Sequence, residues 1–390
     1  MGLALLIVLI RPQFLTVAEV GFIGYVNGMI SFFSSFFSFG LDNSGARLII
    51  NQQDDERKSR MAGTMMFLAL ALCLVFSLFM AIAGIFVPYF GRSEAVPLLY
   101  LVLPFAGYNI LLIFFNSNCY ALGRIKLASV QMFIFQIIYL PLMLLMRWMD
   151  VYGLETAIFS EYAIHMLVLL IPIFIFDRKY LKNHKDLWPD IKEEQKNKGW
   201  KIYMSRVMFL PTFNMDTLIL GAFHPMESVS YYTLTNTITR PITIIGQSIS
   251  QSMYRKYANQ SCVSKKQITY LSLLSAAVSV TGFIGCHIVI RLFLGESYLP
   301  MLAILPFSIG AAFVRGISSI YVSFMTSKGL ADETRKCAIA GMVANIVFNF
   351  ALIIPFGAIG GMYASIIVLL INLGMRMHYC AQYARNNCSA

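Results

Sequence analysis

Residues 206–257, RVMFLPTFNMDTLILGAFHPMESVSYYTLTNTITRPITIIGQSISQSMYRKY, decide how the rest of the chain is interpreted. This stretch contains two apolar spans separated by a short break at His224–Glu227. Charged side chains fall where a bilayer would place hydrocarbon: Arg206, Asp216 and Arg240. A charge at membrane depth is costly, so it normally faces a partner or a water-filled cavity. The stretch therefore predicts a membrane protein with a polar interior.

The composition extends this prediction to the whole chain. The 390 residues are 58% hydrophobic and 13% charged, whereas soluble domains average about 25% charged residues. The mean hydropathy is +0.69. Apolar runs of membrane-spanning length recur from one end to the other. We predict an all-α integral membrane protein.

About twelve transmembrane helices are predicted, numbered here as spans 1 to 12: 2–15, 20–40, 62–88, 97–121, 127–148, 154–176, 202–223, 228–253, 268–294, 300–326, 337–354 and 358–377. Span 1 is short, since a crossing needs roughly 20 residues, and Arg11-Pro12 is a candidate break. Prolines predict bends in other spans: Pro104, Pro141, Pro172, Pro211, Pro241 and Pro306.

An internal repeat divides these spans into two sets of six. Residues 229–236, VSYYTLTN, align with residues 20–27, VGFIGYVN, and residues 356–364 align with 152–160 at nearly the same offset. An even number of spans per copy inserts both copies in the same orientation, which is a common transporter plan. The predicted divisions are an N-lobe, a cytoplasmic linker, a C-lobe and a cytoplasmic tail: 1–176, 177–201, 202–377 and 378–390.

The formal net charge of +11 would suggest a nucleic-acid partner in a soluble protein. Here the basic residues lie in alternate loops, so membrane topology explains them and no nucleic-acid partner is expected. All lysines fall on the side that also holds both termini, and the positive-inside rule assigns that side to the cytoplasm. Two interpretations of the linker remain, an amphipathic segment on the inner leaflet or a solvated tether.

Soluble catalytic motifs are missing from the sequence. It contains no G-x-S-x-G, H-E-x-x-H or Walker loop, so we expect neither enzymatic activity nor ATP hydrolysis. No cofactor and no metal site are expected either. Transport would therefore run on an ion gradient or on mass action.

The arginines within spans are the main candidates for binding a substrate. We predict a cationic cavity whose substrate-binding residues are Arg11, Arg206, Arg240 and Arg315, with the amides of Asn27 and Asn236. The planar guanidinium fork suits phosphate oxygens, which predicts an anionic ligand. The alternatives are arginines that pair with acids between helices or that reach back to the membrane surface.

Three further residues are candidates for ion coupling. Glu161 and His165 are spaced i, i+4 and share one face of span 6, so they form a candidate proton relay. Asp216 is a candidate ligand for a coupling cation, and H⁺ and Na⁺ are the ions considered. A purely structural role, as satisfied polar pairs inside the bundle, is the competing interpretation for all three.

Several short motifs resemble one family in order and spacing. They are Arg11 with Glu19-Val20-Gly21, Phe39-Gly40-Leu41, residues 216–221 (DTLILG), residues 229–232 (VSYY), Lys328-Gly329 and residues 355–361 (PFGAIGG). Together they resemble Wzx-type polysaccharide flippases, in the multidrug/oligosaccharidyl-lipid/polysaccharide (MOP) exporter superfamily. The short first span departs from the pattern at Arg11.

This resemblance implies two six-helix lobes of the MATE type around a central cavity. It also implies that an undecaprenyl-pyrophosphate-linked oligosaccharide crosses the bacterial inner membrane by alternating access, for O-antigen or capsule synthesis. By the same resemblance, Arg11 and Arg240 match cationic residues that engage the pyrophosphate, and contact with a polysaccharide polymerase is implied.

Two other function classes fit the sequence less well than a flippase. A MATE-like drug or cation antiporter needs acidic residues in its cavity, whereas bases outnumber acids within these spans. A membrane enzyme such as a glycan polymerase would be expected to carry catalytic residues on a large outer loop, and none is predicted.

Overall fold

A computed structural model describes residues 2–90, 92–176, 186–207, 214–260 and 262–388. These ranges contain α-helices and no strand. In chain order the helices are α1 (Gly2–Ile10), α2 (Val17–Phe36), α3 (Leu41–Asn51), α4 (Asp55–Phe86), α5 (Ala95–Val102), α6 (Tyr108–Ala121), α7 (Ile125–Trp148), α8 (Leu154–Phe176), α9 (Trp188–Glu194), α10 (Trp200–Val207), α11 (Met215–Phe223), α12 (Met226–Ser252), α13 (Tyr254–Ala258), α14 (Lys265–Val289), α15 (Met301–Ser327) and α16 (Ala331–Cys388).

The helices follow the predicted spans closely, which confirms the all-α membrane fold. Eight helical segments in the described ranges are long and apolar enough to cross a membrane. The last of these, Ala331–Asn386, contains both span 11 and span 12. Helix α12 corresponds to span 8 and, at 27 residues, is also long enough to cross. Its many threonine, serine and glutamine side chains explain why hydropathy alone does not select it.

Two predicted breaks appear as short 3₁₀ turns. Span 1 ends as α1 and continues into the turn Arg11–Gln13, where Pro12 lacks the N–H that a continuing helix needs. Span 4 is interrupted by the turn Leu103–Phe105, which contains Pro104 and separates α5 from α6. By contrast, α7, α12 and α15 continue through their prolines. Pro172 has no described side chain, and Pro211 lies outside the described residues.

Spans 11 and 12 meet at Gly357 inside α16. Gly357 has φ 59° and ψ −136°, a backbone conformation that side chains with a Cβ rarely adopt. The helix direction therefore changes at this residue without an intervening loop.

Helix α3 is an element that sequence analysis did not predict. It begins after Gly40, which has φ +73°, and it occupies what looked like a basic loop after span 2. Its 11 residues are too few for a span, and they mix polar with apolar side chains. Buried Ile49 and Gly45 face the interior, where Gly45 packs against Met65 of α4.

The described part of the linker packs on α3 and α4. Three ion pairs join it to them: Arg47–Glu194 at 3.0 Å, Arg57–Asp190 at 2.9 Å and Arg60–Asp186 at 2.7 Å. The Gln195 side chain accepts from Ser44 Oγ at 2.8 Å and donates to the Phe39 carbonyl at 2.7 Å. This part of the linker is therefore held to the protein by specific polar contacts.

Replacing Arg47 with alanine is expected to loosen this segment. A partly exposed ion pair contributes about 0.5–1 kcal/mol, so limited trypsin digestion within residues 186–201 should become about two- to fivefold faster. Lys58→Ala is the matched control, because among the described residues Lys58 pairs with exposed Asp55 in its own helix turn. Equal digestion rates for the two variants would contradict the role given to the Arg47–Glu194 pair.

Contacts divide the chain into two compact units. Unit 1 comprises Met1–Ile7 and Val26–Leu210, and its core includes the fully buried side chains of Met65, Phe76 and Phe114. Unit 2 comprises Val8–Tyr25 and Pro211–Ala390. Whether the lobe boundaries follow the predicted residue numbers stays a prediction.

Helices α12 and α15 form the centre of unit 2 and run parallel. Small hydroxyl side chains join them, with Thr239 Oγ1 and Ser308 Oγ 2.8 Å apart and Ser250 Oγ donating to the Ser319 carbonyl at 2.7 Å. Such hydrogen bonds are a usual means of holding helices together in a membrane.

Residues 8–25 pack against helices that lie some two hundred positions later in the chain. Gly24 lies against the Thr233 side chain, and the Tyr25 ring lies against Gly221. At Gly21 the helices are closest, because a Cβ there would lie 1.9 Å from the Met226 carbonyl oxygen. Small residues allow this close approach of helix backbones.

Candidate functional site

The polar face of α12 is the main feature of the candidate site in unit 2. Asn236, Arg240 and Gln251 are exposed on one side of this helix, at spacings that keep them on the same face. Other helices expose apolar side chains instead, for example Leu74 at 75% and Leu273 at 66%. Apolar faces of that kind suit contact with lipid, whereas a polar face at membrane depth requires a water-filled surrounding.

Arg240 lies near the middle of the 27-residue helix α12. At 1.5 Å per residue it is about 20 Å from each helix end, farther than an arginine side chain extends. No carboxylate oxygen in the described part of the chain lies within 4.0 Å of its guanidinium. Among the described residues, this geometry therefore gives Arg240 no local ion pair, and its distance from the helix ends argues against snorkelling.

Arg315 lies near the middle of α15 and is likewise exposed. It interacts electrostatically with Asp216 of α11 and with Tyr232 of α12. The Tyr232 hydroxyl donates a hydrogen bond to Asp216 Oδ2 and also contacts the side chains of Asn236 and Ser365. Unit 2 thus places Arg315, Asp216 and Asn236 around one buried tyrosine.

Arg11 and Arg206 are placed differently. Arg11 is half-buried in the 3₁₀ turn after α1, where its carbonyl accepts from the amides of Phe14 and Leu15 at 3.0 and 3.2 Å. By contacts it belongs to unit 2, together with Arg240 and Arg315. Arg206 lies in α10, and its side chain is outside what the structure describes.

In unit 1, His165 lies between two aromatic rings. Its imidazole stacks on Phe135 of α7 with ring centroids 3.4 Å apart, and on Tyr108 of α6 at 4.8 Å, with the planes within 12° of parallel. The stack joins three helices, because Tyr108 lies on α6, Phe135 on α7 and His165 on α8.

Glu161 and Asn27 lie near the same stack. Glu161 interacts electrostatically with Tyr108 and Tyr162. Asn27 Oδ1 accepts a 2.6 Å hydrogen bond from the Tyr162 hydroxyl, so part of its hydrogen-bonding capacity is used within unit 1. The predicted relay residues Glu161 and His165 therefore lie beside the tyrosines of unit 1, Tyr108 and Tyr162.

Tyrosines and one serine are the site residues that sequence analysis missed: Tyr108, Tyr162, Tyr232 and Ser365. For Tyr232 a signal was present, because Tyr232, Asn236 and Arg240 are spaced i, i+4, i+8 and so share a helix face. Within the described ranges, no group of three His, Cys, Asp or Glu side chains is placed to hold a metal ion.

The family model named Polysaccharide biosynthesis protein matches residues 1–254 of this sequence. The chain belongs to the polysaccharide biosynthesis protein family. Among curated proteins, the putative O-antigen transporter of Escherichia coli (strain K12) is 24% identical over 179 residues, which are 44% of this chain. The match covers 42% of that relative's length, less than half of it.

Solved structures show the fold of this member of the polysaccharide biosynthesis family. The inward-facing conformation of a multidrug resistance MATE family transporter of the MOP superfamily is similar with a TM-score of 0.70 and 14% identity, over 99% of this chain and 96% of that one. The lipid II flippase MurJ, in an inward closed conformation, gives a TM-score of 0.71 and 14% identity, over 96% and 85%. The predicted MATE/MOP-like membrane fold is confirmed.

Proposed function

We propose that this protein is a flippase that moves an undecaprenyl-pyrophosphate-linked oligosaccharide from the inner to the outer leaflet of the bacterial inner membrane. The observation that carries the proposal is Arg240, an exposed guanidinium near the middle of a helix of membrane-spanning length, on its polar face. Charge-assisted hydrogen bonds from arginine to phosphate oxygens are short and strong. A pyrophosphate headgroup supplies the anion that such a position requires.

The similar proteins support a substrate of the lipid-linked or polysaccharide kind. The family is one of polysaccharide biosynthesis, one relative is described as an O-antigen transporter, and one protein of similar fold is described as a lipid II flippase. Surface polysaccharide of the O-antigen or capsule type is therefore the product we assign. Alternating access is the mode of transport that the fold suggests, and a polysaccharide polymerase is the partner we expect next to the protein.

Within the proposal, the arginines bind the pyrophosphate and the amides bind sugar hydroxyls. The arginines are Arg11, Arg206, Arg240 and Arg315, and the amides are Asn27 and Asn236. Glu161 and His165 are assigned to proton coupling, because their i, i+4 spacing places a carboxylate and an imidazole on one face of α8. Both termini are assigned to the cytoplasm by the distribution of lysines.

Transfer between leaflets by the purified full chain tests the proposal. Liposomes would contain the protein and a fluorescent undecaprenyl-pyrophosphate-linked sugar, and a membrane-impermeant quencher would report how much headgroup faces outward. We expect transfer that is much faster than in protein-free liposomes. No acceleration would refute the proposal, and uptake of a cationic dye by the same liposomes would favour the drug or cation antiporter instead.

A further inference from the structure

The hydroxyl of Tyr232 forms a hydrogen bond with a carboxylate inside unit 2. Tyr232 is 2% exposed, and its hydroxyl donates to Asp216 Oδ2. The other carboxylate oxygen, Oδ1, accepts from the Thr217 amide at 2.9 Å. Both oxygens of Asp216 are thus held by donors on the protein, one from α12 and one from the first turn of α11.

The position of the tyrosine ring is also well determined. Gly361 of α16 packs against the ring, since a Cβ at Gly361 would lie 3.0 Å from a Tyr232 ring carbon. The hydroxyl contacts Ser365, one turn further along α16, and Asn236, one turn further along α12. Packing and hydrogen bonding therefore leave Tyr232 little freedom to turn away from Asp216.

Arg315 lies near Tyr232 and Asp216 but forms no ion pair with the described carboxylates. Its guanidinium interacts electrostatically with Asp216 and Tyr232, yet no described carboxylate oxygen is within 4.0 Å of it. Arg315 is exposed, whereas Tyr232 is buried. The arginine is partly neutralised at a distance and keeps its hydrogen-bond donors for another acceptor.

We propose that Tyr232 is a positioning residue that holds the Asp216 carboxylate back from Arg315, so that Asp216 serves as a replaceable counter-anion for the pyrophosphate headgroup. This inference rests on the proposed function. Before the headgroup binds, Asp216 offsets the charge of Arg315 without forming an ion pair. An incoming doubly phosphorylated headgroup carries more charge and reaches Arg315 directly, so it outcompetes Asp216.

Two single substitutions are expected to change affinity in opposite directions. Asp216→Asn keeps the shape and still accepts from Tyr232, but it removes the competing charge, so anion binding should become about tenfold tighter. Tyr232→Phe removes the hydroxyl that restrains Asp216, so the carboxylate can pair with Arg315 and binding should weaken about tenfold. The double variant should behave like Asp216→Asn alone, because no carboxylate remains to be restrained.

Binding would be measured by calorimetry on the full chain in lipid nanodiscs, with farnesyl pyrophosphate and inorganic pyrophosphate as probes. Thermal unfolding of each variant would be recorded alongside. If Tyr232→Phe does not fold, Gly361→Ala provides a second route, because its Cβ displaces the same ring, and it should weaken binding in the same direction.

Each result supports or overturns the inference. Opposite shifts for the two single variants, with a double variant that binds as tightly as Asp216→Asn alone, support it. Weakening by both single variants, or no change in either, while the wild-type chain binds pyrophosphate would overturn this inference and leave the proposed function standing. Failure of the wild-type chain to bind either probe would remove the proposed function and this inference together.

Discussion

Exchange of Arg240 for alanine is expected to abolish surface polysaccharide in cells that depend on this protein, with the protein still present in the membrane. Arg240 presents its guanidinium on an exposed polar face and has no described acidic partner, so its removal should leave helix packing intact. The loss of two charge-assisted hydrogen bonds to phosphate, each worth about 1.5–3 kcal/mol, predicts a decrease in transport of about 100-fold or more.

Surface glycan would be measured by gel electrophoresis of cell-surface polysaccharide, and protein level by immunoblot of membranes. Arg335→Ala is the matched control, because Arg335 is an exposed arginine of the same chain that pairs with Asp332 at 3.2 Å in its own helix turn. It should leave glycan unchanged. Arg240→Lys should retain only part of the activity, because an ammonium lacks the planar fork. Normal glycan in Arg240→Ala cells would contradict the role of this residue.

Gly21→Ala is expected to have the largest effect on stability. The added methyl would lie 1.9 Å from the Met226 carbonyl oxygen, and backbone cannot move aside as the end of a flexible side chain can. Overpacking of this kind costs roughly 1–3 kcal/mol and more where backbone must shift. We expect a lower melting temperature in detergent and reduced yield of monodisperse protein.

Gly285→Ala is the control for this stability prediction. Gly285 lies within α14, and nothing lies within 4 Å of a Cβ placed there. Alanine should leave the melting temperature unchanged or raise it, because alanine favours helix by up to about 1 kcal/mol over glycine. Melting temperatures that agree between the Gly21 and Gly285 variants would show that α2 and α12 are not in close contact.

The spans were predictable because hydropathy over some twenty residues is a strong signal, and α8 begins and ends at the residues that define span 6. Helix α3 was not, because its 11 residues are too few for a span and their mean hydropathy is too low for a window of span length to select them. The packing of Gly21 against Met226 was also out of reach, because contacts between distant segments leave no mark in a single sequence.

In the candidate site, too, some residues could be predicted from the sequence, but contacts between helices could not. Arg240 and Arg315 were identifiable because a charge within an apolar run is rare and therefore informative. For Tyr232 the spacing to Asn236 and Arg240 was a signal, but its hydrogen bond to Asp216 could not be predicted because Asp216 lies on a different helix. For the stacking of His165 on Phe135, the spacing within α8 predicted the Glu161 neighbour but not a ring supplied by α7.

The contact of Gly21 and Gly24 with α12 has a consequence for how the chain is made. Met226 and Thr233 leave the ribosome about 200 residues after the two glycines, which at 5–20 residues per second is a delay of roughly 10–40 s. During that interval the glycine surface of α2 sits in the bilayer without its helix neighbours. Maturation of the newborn chain therefore ends with a docking step that waits for the second half of translation.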